Sequence, residues 1–127
     1  MGESKGYIRS ADEKGSINIS EDVIAVIAAS AAMEVAGVNG FFYSHGKEIT
    51  HKIGKKGFAK GVNLLIDEDG VTIDVHIIAE MGYSVNEVGV NIQNAVVSSV
   101  QDAVGAKVNA VNVHVRGVAL RRPRVKE

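Results

Sequence analysis

At 127 residues and a net charge of −1, with 46% apolar residues, one proline and no cysteine or tryptophan, the chain has the size and composition of one compact aliphatic domain. The composition excludes a disordered chain and a disulfide framework, and without cysteine there is no thiol nucleophile and no thiolate-bound zinc. Charge is unevenly spread: Gly61 to Ala106 holds seven acids and no Lys or Arg, while cations gather at Lys47, Lys52, Lys55, Lys56 and Lys60 and in the tail Arg121, Arg122, Arg124 and Lys126.

In chain order, residues 1–14 are polar and without periodicity and read as a flexible terminus. They carry neither a secretory signal nor the myristoylation pattern, whose Ser or Thr is replaced by Gly6. Gly15 to Ile19 alternates as a short strand. Ser20 then stands where a helix N-cap is wanted, with Glu21 and Asp22 favourable to the helix dipole. Ile24, Ile27, Ala28, Ala31 and Val35 follow helical spacing, with Gly37 as the stop, which gives a helix of about 16 residues. The apolar run Val23 to Val38 is broken by Ser30 and Glu34 and is too short to cross a bilayer. Val38 to Tyr43 is a candidate strand, and Ser44 to Gly61 reads as a basic, glycine-punctuated loop or short helix.

Val62 to Ile66 and Val71 to Ala79 flank Asp67-Glu68-Asp69-Gly70, an acidic turn that predicts a hairpin. In its second strand Val71, Ile73, Val75 and Ile77 share one face, and Thr72, Asp74 and His76 the other. Ser84 and Glu87 form a capping box for a second helix, whose stripe runs Val85, Val88, Ile92, Val96, Val100 and Ala103 and is closed by Gly105. Val108 to Val118 alternates again, with Asn112, His114 and Arg116 on its polar face. The order β-α-(β)-β-β-α-β, with one stripe per helix and alternating strands, predicts an α+β fold: two layers, two helices on one face of a small mixed sheet, the other face open. The domain runs over 15–119 between the 1–14 terminus and a basic 120–127 tail.

Three constellations bear on chemistry. Paired strands would bring Asp74, His76 and His114 together as a two-histidine, one-carboxylate metal site, against which stands an ordinary solvated strand face. Gly54-Lys55-Lys56-Gly57 matches the Gly-x-x-Gly loop that clamps nucleic-acid backbones, so a phosphate-binding role for Lys52, Lys55, Lys56 and Lys60 is the alternative reading. Two further histidines, His45 and His51, sit in the loop. Hydrolase, metalloprotease and phosphate-loop patterns are missing, and Glu34, beside the first helix stripe, reads as reaching solvent; no catalytic residue is assigned.

Gly15 to Ile24, Glu34-Val35-Ala36-Gly37-Val38, Lys60-Gly61-Val62, Asp69 to Ile77 and Val111 to Val118, taken in order, resemble the alkaline-shock protein family of Gram-positive bacteria. The resemblance covers about Gly15 to Val118 and departs from the common pattern at Phe41-Phe42-Tyr43 and Gly54-Lys55-Lys56-Gly57. It implies a cytoplasmic, non-enzymatic interaction or scaffolding protein linked to cell-envelope or alkaline stress, which self-associates and is held at the membrane by a membrane-anchored protein partner. It also implies no catalytic role for Asp74-Val75-His76 or Asn112-Val113-His114, no cofactor, no metal and no small-molecule substrate. Helix one, Glu21 to Val35, further resembles a subgroup tied to fatty-acid synthesis. The surfaces available for a partner would be the open sheet face, the sheet edges and the pair Phe41 and Phe42.

Overall fold

The computed structural model describes residues 6–42 and 61–120. Its elements are β1 (Tyr7–Asp12), β2 (Gly15–Ser20), α1 (Glu21–Met33), β3 (Val38–Phe41), β4 (Val62–Asp67), β5 (Gly70–Glu80), α2 (Val85–Val104) and β6 (Val108–Ala119). The architecture is the expected α+β class, but with two sheets in place of one: β1 and β2 pair only with each other, and β3, β4, β5 and β6 form the four-stranded main sheet.

Strand β1 is a correction. Tyr7–Asp12, within the stretch read as an aperiodic terminus, pairs antiparallel with β2 from Tyr7↔Ser20 to Asp12↔Gly15. Asp12 Oδ1 accepts the Lys14 amide at 2.8 Å, which shapes the two-residue loop. Of the strand's residues Ile8 packs against the core, so one inward residue, too few to show a period, holds it there. The hairpin also alters how α1 starts. Ser20 makes no side-chain cap bond; the next step of the hairpin ladder supplies one acceptor instead, with the Glu21 amide donating to the Gly6 carbonyl at 3.0 Å.

Helix α1 ends at Met33, earlier than its stripe suggests, because the Glu34 and Val35 amides turn back to the carbonyls of Ala31 and Ala32. Gly37 therefore lies in the turn to β3 and not at the helix stop. Ile24, Ala25, Ala28, Ala29, Ala31 and Ala32 are buried, and α1 packs chiefly on α2 and β4. Small side chains on this face let the helices lie close. In α2 the Ser84 hydroxyl accepts the Glu87 amide at 3.3 Å and Gly105 closes the helix in the left-handed conformation, as the sequence predicts. Val88, Ile92, Val96 and Val100 form the buried stripe, whereas its predicted ends, Val85 and Ala103, are exposed.

β5 is the axis of the main sheet. One edge carries β6 in parallel over nearly its whole length, and the other carries β4 against its first half and β3 against its second, both antiparallel. The parallel pair is joined by α2, the crossover such a pair requires. His76 marks the junction on the antiparallel edge: its amide donates to the Gly61 carbonyl at 2.8 Å, and its own carbonyl accepts the Phe42 amide at 2.9 Å. The face under the helices is sealed by Val71, Ile73, Val75, Ile77 and Ala79, all fully buried.

The β4–β5 turn is fixed from two sides. Asp67 Oδ1 accepts the amides of Asp69 and Gly70 at 2.9 and 3.1 Å, and the Val71 amide donates to the Lys107 carbonyl at 3.0 Å, tying the turn to the entry of β6. Gly70 has φ +146°, and a Cβ there would lie 2.4 Å from the Lys107 carbonyl oxygen. Backbone strain and overpacking each cost about 1–3 kcal/mol. Gly70→Ala is therefore expected to lower the free energy of unfolding by about 2–4 kcal/mol in urea titrations. A change within about 0.5 kcal/mol, the range of ordinary surface substitutions, would show that the turn is not so constrained.

Candidate functional surface

The open face of the sheet collects the even residues of β5 and their neighbours on β6. The parallel register sets Asp74 beside Asn112 and His76 beside His114, and the hairpin sets Asn63 beside Asp74. Asp74 Oδ1 accepts Asn112 Nδ2 at 3.0 Å and lies 3.2 Å from His114 Nε2. The rings of His76 and His114 stack with centroids 4.5 Å apart and planes 13° from parallel. Arg116 completes the row, its guanidinium donating to His76 Nδ1 at 3.3 Å and lying over the Phe42 ring at 4.6 Å. An arginine only donates, so Nδ1 of His76 is the acceptor and a neutral ring carries its proton on Nε2, which Asn63, 3.5 Å away, accepts only with its amide turned to present Oδ1.

The three residues of the candidate metal site are thus neighbours, and their arrangement says what they do there. Stacked imidazoles send their in-plane lone pairs along parallel directions, so the two rings do not converge on a point about 2 Å from both nitrogens, as a shared ion demands. Among the described residues no group of three or more His, Asp or Glu side chains is placed to hold an ion. The row is a mutually bonded polar ladder, half open to solvent at Asp74 and His114, whose side chains are 36% and 44% exposed. Apolar Leu65 stands out beside it, 37% exposed, and Ile78 is half-buried on the same face.

Phe41 and Phe42 part company: Phe41 packs against the core and Phe42 lies under Arg116. Glu34 is exposed, as expected. Lys47, Lys52, Lys55, Lys56, Lys60, His45, His51, Tyr43 and the tail cations Arg121, Arg122, Arg124 and Lys126 lie outside the described residues. Sequence reasoning did not connect Asn63 or Phe42 to the ladder. Counting back from the Asp67–Gly70 turn would have placed Asn63 against Asp74; the Arg116 contacts depend on a register shift between Ile77 and Ile78 that no local pattern announces.

A two-layer α+β domain with one polar sheet face, open among the described residues, is the class of protein that these features define. The chain belongs to the alkaline-shock protein 23 family, described as having a cell envelope-related function, whose model matches residues 9–120. It is 37% identical over 109 residues to Spy1535 of Streptococcus pyogenes serotype M6, a match covering 85% of this chain and 82% of that protein. To YloU of Bacillus subtilis strain 168 it is 32% identical, over 86% of this chain and 92% of the relative, and to YqhY of the same strain 31%, over 82% and 77%. A solved structure of a MamM CTD variant, 16% identical, superposes with a TM-score of 0.47 over 80% of this chain and 96% of its own.

The ladder shifts one titration. Partial burial, then the nearby His114 and Arg116 charges, hold the His76 pKa below its ordinary value, with Asp74 pulling weakly the other way. The unfolded chain therefore binds a proton at this site in a pH range where the folded chain does not. The stability that depends on neutral His76 is complete above the unfolded value of about 6.5 and is lost as pH falls through the lower folded pKa. Thermal midpoints are expected to fall between pH 7.5 and pH 5, with a shallower slope in His76→Asn. Parallel curves for the two proteins would show that His76 titrates as it does in an unfolded chain.

Proposed function

We propose that the protein is a non-enzymatic interaction or scaffolding protein of the cell-envelope stress response, acting in the cytoplasm through self-association and through a membrane-anchored protein partner. The observation that carries this reading is the open sheet face, on which Asp74, His76, Asn112, His114 and Arg116 are bonded to one another beside exposed Leu65. Groups that hold each other in register form a stiff surface, which a partner can meet without reordering it. Among the described residues no helix is long and apolar enough to cross a membrane. Membrane attachment then falls to a partner, consistent with the family's envelope-related function.

Two measurements on the purified chain and on cells test the reading together. Purified protein is expected to stay in the supernatant with neutral liposomes, and with anionic ones to sediment only at low salt, since each basic residue near such a surface contributes about 1 kcal/mol. In cell extracts the tagged protein is expected to bring down an integral membrane protein in detergent, and His114→Glu together with Arg116→Glu to reduce its recovery at least about tenfold, as loss of central interface contacts does. Salt-resistant binding to neutral lipid, or equal recovery with the double variant, would overturn it. So would micromolar binding of single-stranded RNA at physiological salt that is lost in Lys55→Glu, Lys56→Glu, the result expected of a nucleic-acid clamp.

A further inference from the structure

Among the described residues β6 pairs with a strand along one edge only. His76 directs its backbone groups toward Gly61 and Phe42, so the odd residues of β5 face β6. In a parallel ladder those odd residues engage the backbone of Asn112 and His114, which leaves the N–H and C=O of Val111, Val113 and Val115 pointing away from the sheet. The Val111 carbonyl is met by Gln93 Nε2 at 3.0 Å. Among the described residues none bonds the backbone of Val113 or Val115 on that side. Alternation places their side chains on the helix-covered face, where they are half-buried and line a groove of about 260 Å³ with Val85, Gly89 and Val90 of α2.

Gly89 is the second observation. A glycine inside a helix costs about 1 kcal/mol relative to alanine, and a Cβ built at Gly89 meets nothing within 4 Å. Packing among the described residues does not call for it. What a missing side chain gives here is room in the groove for a backbone arriving from outside.

We propose that this edge pairs with the same edge of a second copy, β6 against β6 antiparallel, about a twofold axis at His114. The inference rests on the self-association proposed above and names its surface. The register follows from the two outward residues. With His114 opposite His114, Val113 faces Val115 of the other copy and Val115 faces Val113, so four outward backbone groups on each chain bond at once and the Gln93 contact to Val111 is kept. The same register sets Arg116 across from Asn112 of the other copy, beside its Asp74, and keeps the two arginines off one another. A strand that complements itself in both hydrogen bonding and charge fits a second copy better than an unrelated segment.

The absence of cysteine from the chain makes the test direct. His114→Cys places two thiols across a non-hydrogen-bonded antiparallel pair, where Cα atoms lie about 4.5 Å apart, within disulfide range. Mild oxidation of this variant at micromolar concentration is expected to give mostly covalent dimer on a non-reducing gel, and Asp102→Cys, on the helix surface away from the edge, to give little. Sedimentation of Gly89→Glu, whose side chain fills the groove and favours the helix, is expected to show a dimer dissociation constant raised at least about tenfold at unchanged helix content. If the parent dimerises but His114→Cys does not cross-link and Gly89→Glu dimerises normally, the edge is the wrong surface while self-association stands. If the parent is monomeric at 100 µM, roughly the ceiling of useful weak association, both fall.

Discussion

β5 is the constraint on which the rest of the structure depends. It must satisfy two edges and two faces at once, and its alternation does so: Val71, Ile73, Val75 and Ile77 go under the helices while Thr72, Asp74 and His76 remain toward solvent. A slip of one residue against β4 or β6 would exchange the two sets and place Asp74 in an apolar core. The turn at Asp67–Gly70 prevents this on one side. On the other, the Val71 amide on the Lys107 carbonyl pins the start of the parallel pairing, and the side-chain ladder from Asp74 to Arg116 extends it. The polar row is thus a product of the same register that builds the core.

Burial of the odd residues explains why the helical layer looks as it does. Where the facing sheet already supplies branched aliphatic side chains, α1 contributes mostly alanine and α2 a stripe of Val and Ile. Both helices lack Lys and Arg altogether, while the sheet's open face carries Arg116 and two histidines. The two layers therefore differ in charge as well as in shape.

Much of this was legible in the sequence because β5, α2 and β6 are long and periodic. Strict alternation from Val71 to Ile77 leaves no ambiguity about which face of β5 is which, and Ser84 and Gly105 bound α2 chemically. The misreadings fall where tertiary contacts replace local signals. β1 has one core-directed residue, Ile8, so its strand character comes from pairing with β2. Ser20 gave the right boundary for the wrong reason, since the Gly6 carbonyl and not the serine hydroxyl receives the Glu21 amide. At the site, the meeting of Asp74, His76 and His114 could be read from alternation once β5 and β6 were paired. That the rings would stack and not converge depends on the parallel stagger of the strands, which alternation does not encode.

Stacking also decides what kind of surface the histidines can make. Imidazoles joined face to face hold an arginine through Nδ1 of His76 and a carboxylate through Nε2 of His114. A shared metal ion needs lone pairs aimed at a common centre, which stacked rings do not supply. The ladder offers instead a row of fixed partial charges on a rigid sheet, along which a partner's groups can be matched without reordering the protein's own. Preorganisation of this kind lowers the entropy cost of association for any group that meets the face.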